Sequence, residues 1–274
     1  MISIIICSRN SDIPAELKQN IADTIGCDYE LVVIDNSRNQ YSIFQAYNEG
    51  VERAKGEILC FIHDDVVFHT NGWGKVIEAL FLAHEDFGGI GVLGGHLLPF
   101  QESYYLLSSG NIMQLQNDGK VEMELRNDHF DKDGLDEVAA LDGLLMAVPK
   151  ELFLVKGVRF DETYGGFHMY DLDFSMQLRE IGYKCVVTNN ILVEHRTRIT
   201  GVLESDSFKR ELHKFYKKWE GAFPVVVGLS IEYLSTKYTD IYMKLESIHF
   251  SHAYKLGSAL MRPVKSIKKL FSLI

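Results

Sequence analysis

The chain has 274 residues, of which 46% are hydrophobic and 24% are charged, proportions typical of a globular protein with a sizeable core. Its formal net charge of −10 argues against a nucleic-acid-binding protein, because such proteins carry basic surfaces. Four dispersed cysteines without C-x-x-C spacing indicate reduced core residues and a cytoplasmic protein. No stretch approaches the roughly 18 apolar residues of a membrane span, and the N-terminus lacks the basic residues of a signal peptide.

The first hundred residues alternate short apolar runs with amphipathic segments, an order that predicts an α/β fold with a doubly wound, mainly parallel sheet. Polar loops at residues 8–10, 35–37 and 63–65 follow the first three predicted strands. Since ligands bind beyond the carboxyl ends of the strands in such sheets, these loops predict a site. The predicted strands are Ile2–Cys7, Glu30–Ile34, Glu57–Ile62 and Ile90–Leu93, and the predicted helices are Pro14–Ile25, Tyr41–Lys55 and Gly72–Ala83.

The tripeptide His63-Asp64-Asp65 places an imidazole and two carboxylates at the end of the third strand. Like charges so close together raise one pKa or recruit a cation. A divalent ion that bridges a diphosphate is therefore one interpretation. The other is a polar turn without a ligand, which the tripeptide alone favours, because acidic turns are common.

The second half of the chain begins with a polar segment from about residue 97 to 137, which predicts strands outside the main sheet. An apolar run at residues 144–148 and a helix opened by Pro149 follow. Further on, Phe174, Leu178 and Ile181 fall at helical spacing, and Gly182 is a helix stop before the strand Lys184–Thr188.

Asp171 falls at the N-terminus of this later helix, where the helix dipole favours a carboxylate. A capping role and a catalytic role are equally compatible with that position. Asp173 is better explained as structural, paired with Arg179 or with backbone donors. A short strand at residues 191–194 then ends at His195, which on its own is more often a core or surface residue than a ligand.

In this order the segments resemble the family-2 glycosyltransferases of the GT-A fold over roughly residues 1–200. The opening strand and residues 7–10 are similar to the family's V-I-I-P-T-Y-N, and V-V-I-D-N-S at 32–37 to its V-V-D-D-G-S. Residues 45–65 are similar to the family segment that ends in D-x-D, and residues 160–183 to the segment with its E-D pair. His195 falls at the family's late histidine, while His63 replaces the first Asp of D-x-D and Tyr170 replaces the Glu of E-D.

The resemblance implies an inverting, metal-dependent transferase with Asp171 as general base. It implies Mn²⁺ or Mg²⁺ held by Asp65 and His195, with His63 as a further candidate ligand. The residues implied in nucleotide-sugar binding are Ser8, Arg9, Asp35, Asn36, Asn48, Asp64 and Asp65. Position in the motif places Asp142, Gly143, His168 and Tyr170 in the acceptor pocket.

The implied partners are a UDP-, GDP- or dTDP-sugar donor and a glycan or lipid-linked acceptor, with no nucleic acid, and a homodimer is compatible with the chain. We expect a GT-A domain with a small second sheet at residues 1–222, divided into a nucleotide-sugar half, 1–115, and an acceptor half, 116–222. Residues 223–274 are expected to form a helical extension. Its tail, residues 251–274, has five basic residues and no acidic one, and could lie on the inner face of the cytoplasmic membrane or pack on protein.

Two other functions are compatible with parts of this pattern. A catalytically silent GT-A domain that binds nucleotide sugars or assists polysaccharide assembly would explain the replacements at His63 and Tyr170. The presence of Asp65, Asp171 and His195 together argues against it. A nucleotidyltransferase would need a Gly-rich first loop with Lys or Arg for a triphosphate, and residues 8–10 are too short to supply one.

Overall fold

The computed structural model describes residues 1–99, 102–116, 119–125, 130–197 and 205–229. The described chain up to residue 228 forms one compact α/β unit with two sheets. In chain order the elements are β1 (Ile2–Ser8), α1 (Ala15–Thr24), β2 (Tyr29–Asp35), α2 (Ile43–Arg53), β3 (Ile58–Ile62), β4 (Val66–Phe68), α3 (Trp73–Ala83), β5 (Phe87–Gly91), β6 (Leu93–Leu98), β7 (Leu106–Leu115), β8 (Val121–Leu125), β9 (Leu135–Val138), β10 (Ala140–Leu141), β11 (Leu145–Pro149), α4 (Lys150–Leu154), α5 (Tyr170–Glu180), β12 (Lys184–Thr188), β13 (Val193–His195), α6 (Asp206–Lys218) and β14 (Val225–Val226).

The first sheet has the strand order β2-β1-β3-β11-β5-β12-β9. Strands β1, β2 and β3 are parallel to one another, and β5 and β12 run in the same direction, while β11 and β9 run the opposite way. The predicted mainly parallel sheet is confirmed. The loops after β1, β2 and β3 consequently meet at one edge of this sheet.

Helices cover both faces of the first sheet, because the side chains of β1 alternate between two apolar clusters. Ile5 belongs to a cluster with α2, α4, α5 and α6, whereas Ile4 and Ile6 belong to a cluster with α1 and α3. Both clusters consist of fully or nearly fully buried residues, which is why the strands are apolar on both sides. Because each face of the sheet carries its own helices and apolar cluster, the arrangement is doubly wound, as the alternation of predicted strands and helices indicated.

The second sheet has the order β10-β6-β7-β13-β4, with β14 paired to β6 and β8 paired to β7. It contains as many strands as the first sheet, so it is larger than the small sheet that we expected. The polar segment from residue 97 supplies β7 and β8, and short strands from distant parts of the chain complete the sheet. In β13, His195 lies beside Gln114 of β7 and Val66 of β4.

Helix α5 begins at Tyr170 after Met169, whose φ of 63° is in the left-handed region. A non-glycine residue in that conformation costs about 1 kcal/mol or more and is common near functional sites. Gly182, with φ 87°, follows the end of the helix and confirms the predicted stop. The sharp turn at Met169 directs the chain so that Tyr170 and Asp171 open the helix.

The predicted tail, residues 251–274, lies outside the described residues. Of the predicted extension, Val225 and Val226 form β14 in the second sheet, and the Val227 amide donates to the carbonyl of His96 over 3.0 Å. Within the described chain, no helix is both long and apolar enough to cross a membrane.

Candidate active site

The strand ends place most of the predicted site residues around one cavity of about 940 Å³. Strands β1 and β3 end at its floor, and β11 begins there because Leu145 pairs with Ile62. The first residues of α5 and the end of β13 also line it. The predicted residues that line the cavity are Arg9, Asn36, His63, Asp64, Asp65, Asp142, Gly143, His168, Tyr170, Asp171 and His195.

Asp65 lies between two imidazoles at one end of this site. Its Oδ1 is 3.9 Å from Nδ1 of His63 and 3.7 Å from Nε2 of His195. One ligand atom from each of the three residues lies within 4.8 Å of the others. Because metal–ligand bonds to nitrogen and oxygen are about 2.1 Å long, atoms at this spacing can share one ion after small side-chain adjustments.

The bonding around Asp65 fits a cation. Its Oδ1 is buried and has no hydrogen-bond partner among the described residues, while its Oδ2 accepts from the hydroxyl of Thr197. A buried carboxylate oxygen without a partner costs roughly 1–3 kcal/mol or more, a cost that a cation removes. Gln114 Oε1 is 3.2 Å from Nδ1 of His195 and can only accept a hydrogen bond, so Nδ1 of His195 carries the proton. The lone pair of Nε2 is then directed towards Asp65.

Arg9 and Asp64 connect the first and third strand ends. The Arg9 backbone amide and guanidinium both donate to the Asp64 carboxylate over 3.3 Å. The Arg9 side chain is 76% exposed, whereas that of Asp64 is only 11% exposed. Asp64 therefore holds the first loop in place, and Arg9 leaves a solvent-accessible positive charge beside the acidic strand end.

Asp171 is the buried carboxylate of the cavity, with 4% exposure. Its Oδ2 accepts from the Tyr104 hydroxyl over 2.6 Å and from the Gly143 amide over 3.1 Å, and its Oδ1 accepts from the Leu172 amide over 2.9 Å. Burial and, to a smaller extent, the negative charge of Asp142 raise the pKa of Asp171 to about 7, against the lowering effect of these hydrogen bonds. A carboxylate with such a pKa can accept a proton near neutral pH.

The remaining predicted acceptor residues surround Asp171. Asp142 accepts from the Tyr105 hydroxyl over 2.8 Å and from the Leu144 amide over 3.0 Å. The His168 amide donates to Glu211 of α6 over 2.9 Å, and its ring packs edge-on against Phe208. Burial lowers the pKa of His168, so its ring is neutral at pH 7. These contacts give the cavity an aromatic wall next to the carboxylate.

Two of the predicted nucleotide-binding residues, Ser8 and Asn48, do not line the cavity. Ser8 is fully buried, and its hydroxyl is used within the loop, where it donates to the Asp12 carbonyl and accepts from the Asn10 amide. Asn48 lies outside the cavity, where its side-chain amide bonds to the backbone of Phe160 and to Glu162. Both side chains are engaged in structural bonds, which argues against a role in nucleotide binding.

Asp35 and Asn36, at the end of β2, differ in exposure. Asn36 is buried and lines the cavity, and its side-chain amide bonds to the backbone of Tyr41 in both directions. Asp35 is exposed and accepts from the Ser37 amide over 2.9 Å, and hydrogen bonding by the hydroxyl and the amide of Ser37 lowers its pKa. Contact of Asp35 with a nucleotide base remains a prediction.

Asp173 is structural, as predicted, but its partners are different. The buried carboxylate accepts from the Tyr164 hydroxyl, from Gln177, and from Lys218 and Trp219 at the end of α6. Arg179 pairs with Glu137 instead. The bonds of Asp173 join α5 to α6, behind the cavity wall.

Sequence reasoning missed four residues that complete the site. Tyr104 and Tyr105 contact the two acidic side chains of the acceptor end, and Gln114 and Thr197 contact the histidine–aspartate cluster. The adjacent tyrosines in a polar segment were the available signal for the first pair. Gln114 had no such signal, because only the parallel pairing of β13 with β7 brings it beside His195.

The fold and the cavity together define a class of protein. A doubly wound sheet with a second sheet, a histidine–aspartate cluster at its strand ends and a buried carboxylate in the same cavity are features of GT-A glycosyltransferases. The sequence profile of the "Glycosyltransferase like family" matches residues 3–219, and the chain belongs to this family. It is a glycosyltransferase by class. No curated protein sequence matches the chain at a significant level.

Solved structures show the same fold at low sequence identity. The structure of GalNAc-T7 with UDP, GalNAc and Mn²⁺ aligns with a TM-score of 0.56 and 13% identity, covering 80% of this chain and 48% of that one. The structure of S. aureus TarS 1–349 with UDP-GlcNAc aligns with a TM-score of 0.53 and 14% identity, covering 84% and 68%. This chain thus spans about half the length of the first of these structures.

Proposed function

We propose that the chain transfers a sugar from a nucleotide-diphosphate sugar to a hydroxyl group of a glycan or lipid-linked acceptor, with inversion at the anomeric carbon. The observation that carries this proposal is the presence of two complementary groups in one cavity. Asp65, His63 and His195 form a cluster suited to a cation, and Asp171 is a buried carboxylate with a pKa of about 7. Similar folds hold UDP or a UDP-sugar in GalNAc-T7 and TarS.

The cluster would hold Mn²⁺ or Mg²⁺ through Asp65, His195 and His63, with two imidazole nitrogens and one carboxylate oxygen. A bound divalent ion supplies positive charge to the diphosphate leaving group. Arg9 adds a second positive charge at the same end, on a side chain free enough to follow the phosphates. Asp64 fixes the backbone of that loop through its bond to the Arg9 amide.

Asp171 would act as the general base for the acceptor. The proton of the acceptor hydroxyl passes to the Asp171 carboxylate as the hydroxyl oxygen bonds to the anomeric carbon. The bond from that carbon to the diphosphate breaks in the same displacement, and the electron pair leaves with the diphosphate. Attack opposite the leaving group inverts the configuration. Proton transfer by a positioned base contributes typically 10²- to 10⁴-fold in rate.

Nucleotide screening tests the donor end of this proposal. Thermal unfolding with UDP, GDP, dTDP or CMP, each with and without Mn²⁺, should show one nucleotide that stabilises the chain more with metal, because a ligand that binds only the folded state raises Tm. In Asp65→Ala the metal-dependent part of the shift should disappear.

Asp171→Asn tests the acceptor end. This variant should keep nucleotide binding and lose at least 100-fold in transfer, since the amide cannot accept the proton. If a nucleotide binds, yet neither transfer nor sugar-nucleotide hydrolysis is detected with Mn²⁺ across a donor panel, the chain is a catalytically silent binding domain. Equal transfer by Asp171→Asn would exclude Asp171 as the base.

A further inference from the structure

The two residues that depart from the family's motifs touch each other. Nε2 of His63 and the hydroxyl oxygen of Tyr170 are 2.9 Å apart, although the residues are 107 positions apart in the chain. His63 stands in the first position of the D-x-D segment, and Tyr170 stands in place of the Glu of the E-D pair. The two positions that differ from the motifs are therefore joined by one hydrogen bond across the cavity.

Tyr170 is held rigidly at this position. It is the first residue of α5 and only 7% exposed, and its ring packs edge-on against Phe44 and Tyr47. The hydroxyl occupies space that exists because residue 143 is a glycine, since a Cβ there would overlap the hydroxyl oxygen. A phenol fixed in this way can orient a neighbouring imidazole without much loss of side-chain entropy.

This hydrogen bond decides which nitrogen of His63 faces Asp65. With Nε2 directed at Tyr170, the opposite nitrogen Nδ1 lies 3.9 Å from Oδ1 of Asp65. An imidazole can ligate a metal through Nδ1 only when its proton is on Nε2, and the Tyr170 oxygen is placed to accept that proton. Outer partners of this kind fix the tautomer and the ring orientation of metal-binding histidines.

His195 shows the same arrangement through a different side chain. Gln114 Oε1 accepts from Nδ1, so Nε2 is directed at Oδ1 of Asp65. Both imidazoles thus have an outer hydrogen-bond partner and an inner nitrogen facing one carboxylate oxygen. We propose that Tyr170 is a positioning residue that makes His63 a third protein ligand of the metal, an inference that rests on the metal site of the proposed function.

Mn²⁺ binding to the full chain tests this inference without any need for the donor or the acceptor. Free aqueous Mn²⁺ is measured by electron paramagnetic resonance during titration of wild type, Tyr170→Phe, His63→Ala and the double variant. We expect Tyr170→Phe to weaken binding about 10-fold, because loss of an outer partner typically costs 10- to 100-fold. His63→Ala should weaken it at least as much, and the double variant no more than His63→Ala, since the two residues act as one unit.

Tyr164→Phe is the matched control. Its hydroxyl is likewise hydrogen-bonded to a side chain, the buried carboxylate of Asp173 at 3.1 Å, and its ring stacks on Phe44, but it does not line the cavity. Mn²⁺ affinity should be unchanged in this variant. A loss equal to that of Tyr170→Phe would show that general loosening of the core is responsible, and would overturn the inference.

The remaining outcomes distinguish failure of the positioning role of Tyr170 from failure of the metal site. Wild-type affinity in Tyr170→Phe, or additive losses in the double variant, would overturn the positioning role. Wild-type affinity in His63→Ala, with binding lost in Asp65→Ala, would leave a metal site without His63. If wild type binds no Mn²⁺, the metal site of the proposed function fails, and this inference with it.

Visible absorption of bound Co²⁺ provides a second measurement if Tyr170→Phe is poorly folded. Loss of one imidazole ligand changes the spectrum. His63→Gln should therefore differ from wild type if His63 is a ligand, while Tyr164→Phe should match wild type. An unchanged spectrum in His63→Gln would exclude His63 from the ligand set and overturn the inference.

Discussion

Tyr104 hydrogen-bonds directly to the proposed base and lowers its pKa. Its hydroxyl donates to Oδ2 of Asp171 over 2.6 Å, a bond that stabilises the ionised carboxylate and lowers a pKa that burial and Asp142 raise. The base is active when ionised, so the rate of transfer should fall as the pH drops through about 7. This places the acid limb of the pH profile well above that of an ordinary aspartate.

In Tyr104→Phe the pKa of Asp171 should therefore rise above about 7, and the acid limb of kcat/KM should move to higher pH. The profile is measured with the donor identified by nucleotide screening. Tyr216→Phe is the control, since its hydroxyl donates to the backbone of Ser103, next to Tyr104 in the chain, without touching the carboxylate. An acid limb that stays in place in Tyr104→Phe would mean that Asp171 does not control the rate.

Other side chains of the site show how far functional residues can be identified from a single sequence. Asp65, Asp171 and His195 could be singled out because they fall in register with the motifs of the family-2 glycosyltransferases, whereas each residue type at its position also has a structural explanation. Ser8 and Asn48 fitted the same motifs, but the Ser8 hydroxyl bonds within its own loop and the Asn48 side chain bonds to the distant backbone of Phe160. Residue type alone does not distinguish a polar side chain that binds a ligand from one that hydrogen-bonds to the protein's own backbone.

Helix α2 contains a residue, Asn48, that matches a nucleotide-binding motif in the sequence but has a structural role in the fold. Asn48 bonds to both the amide and the carbonyl of Phe160, and so fastens α2 to the segment that leads to α5. In Asn48→Ala both backbone groups lose their partner. The free energy of unfolding should decrease by about 1–2 kcal/mol, while the affinity for the nucleotide should stay the same.

Urea unfolding and nucleotide titration of the same samples measure these two quantities. Glu49→Ala, one residue along the helix, removes only the exposed pair with Arg53 and should change stability by less than about 0.5 kcal/mol. A large loss of nucleotide affinity in Asn48→Ala would restore the binding role that the sequence motif implied.

Elements differed in how well the sequence predicted them. Strands β1, β2 and β3 and helices α1, α2 and α3 were predicted because local periodicity and short loops define them. A second sheet was expected, but its size and strand pairings were not, because β4 has three residues, β13 has three, and their neighbours come from distant parts of the chain. Pairing of such short strands depends on tertiary contacts that leave no local pattern.

Charge is distributed unevenly along the whole chain. The net charge is −10, yet residues 251–274 contain five basic residues and no acidic one. Apolar residues alternate with these basic residues at spacings that suit an amphipathic helix interrupted near Pro263. Such a segment has electrostatic and apolar reasons to bind an anionic membrane surface, where a lipid-linked acceptor would be found.

Flotation with anionic vesicles tests this segment directly. The full chain should float with the vesicles, and a chain that ends at residue 250 should remain at the bottom of the gradient. Replacement of Lys265, Lys268 and Lys269 by Gln should weaken binding roughly 100-fold, because each basic residue near the surface contributes about 1 kcal/mol. Neutral vesicles and high salt should reduce flotation of the full chain for the same reason. Equal flotation of the full and shortened chains would rule out membrane binding by the tail, because removal of its charge and apolar surface would then have had no effect.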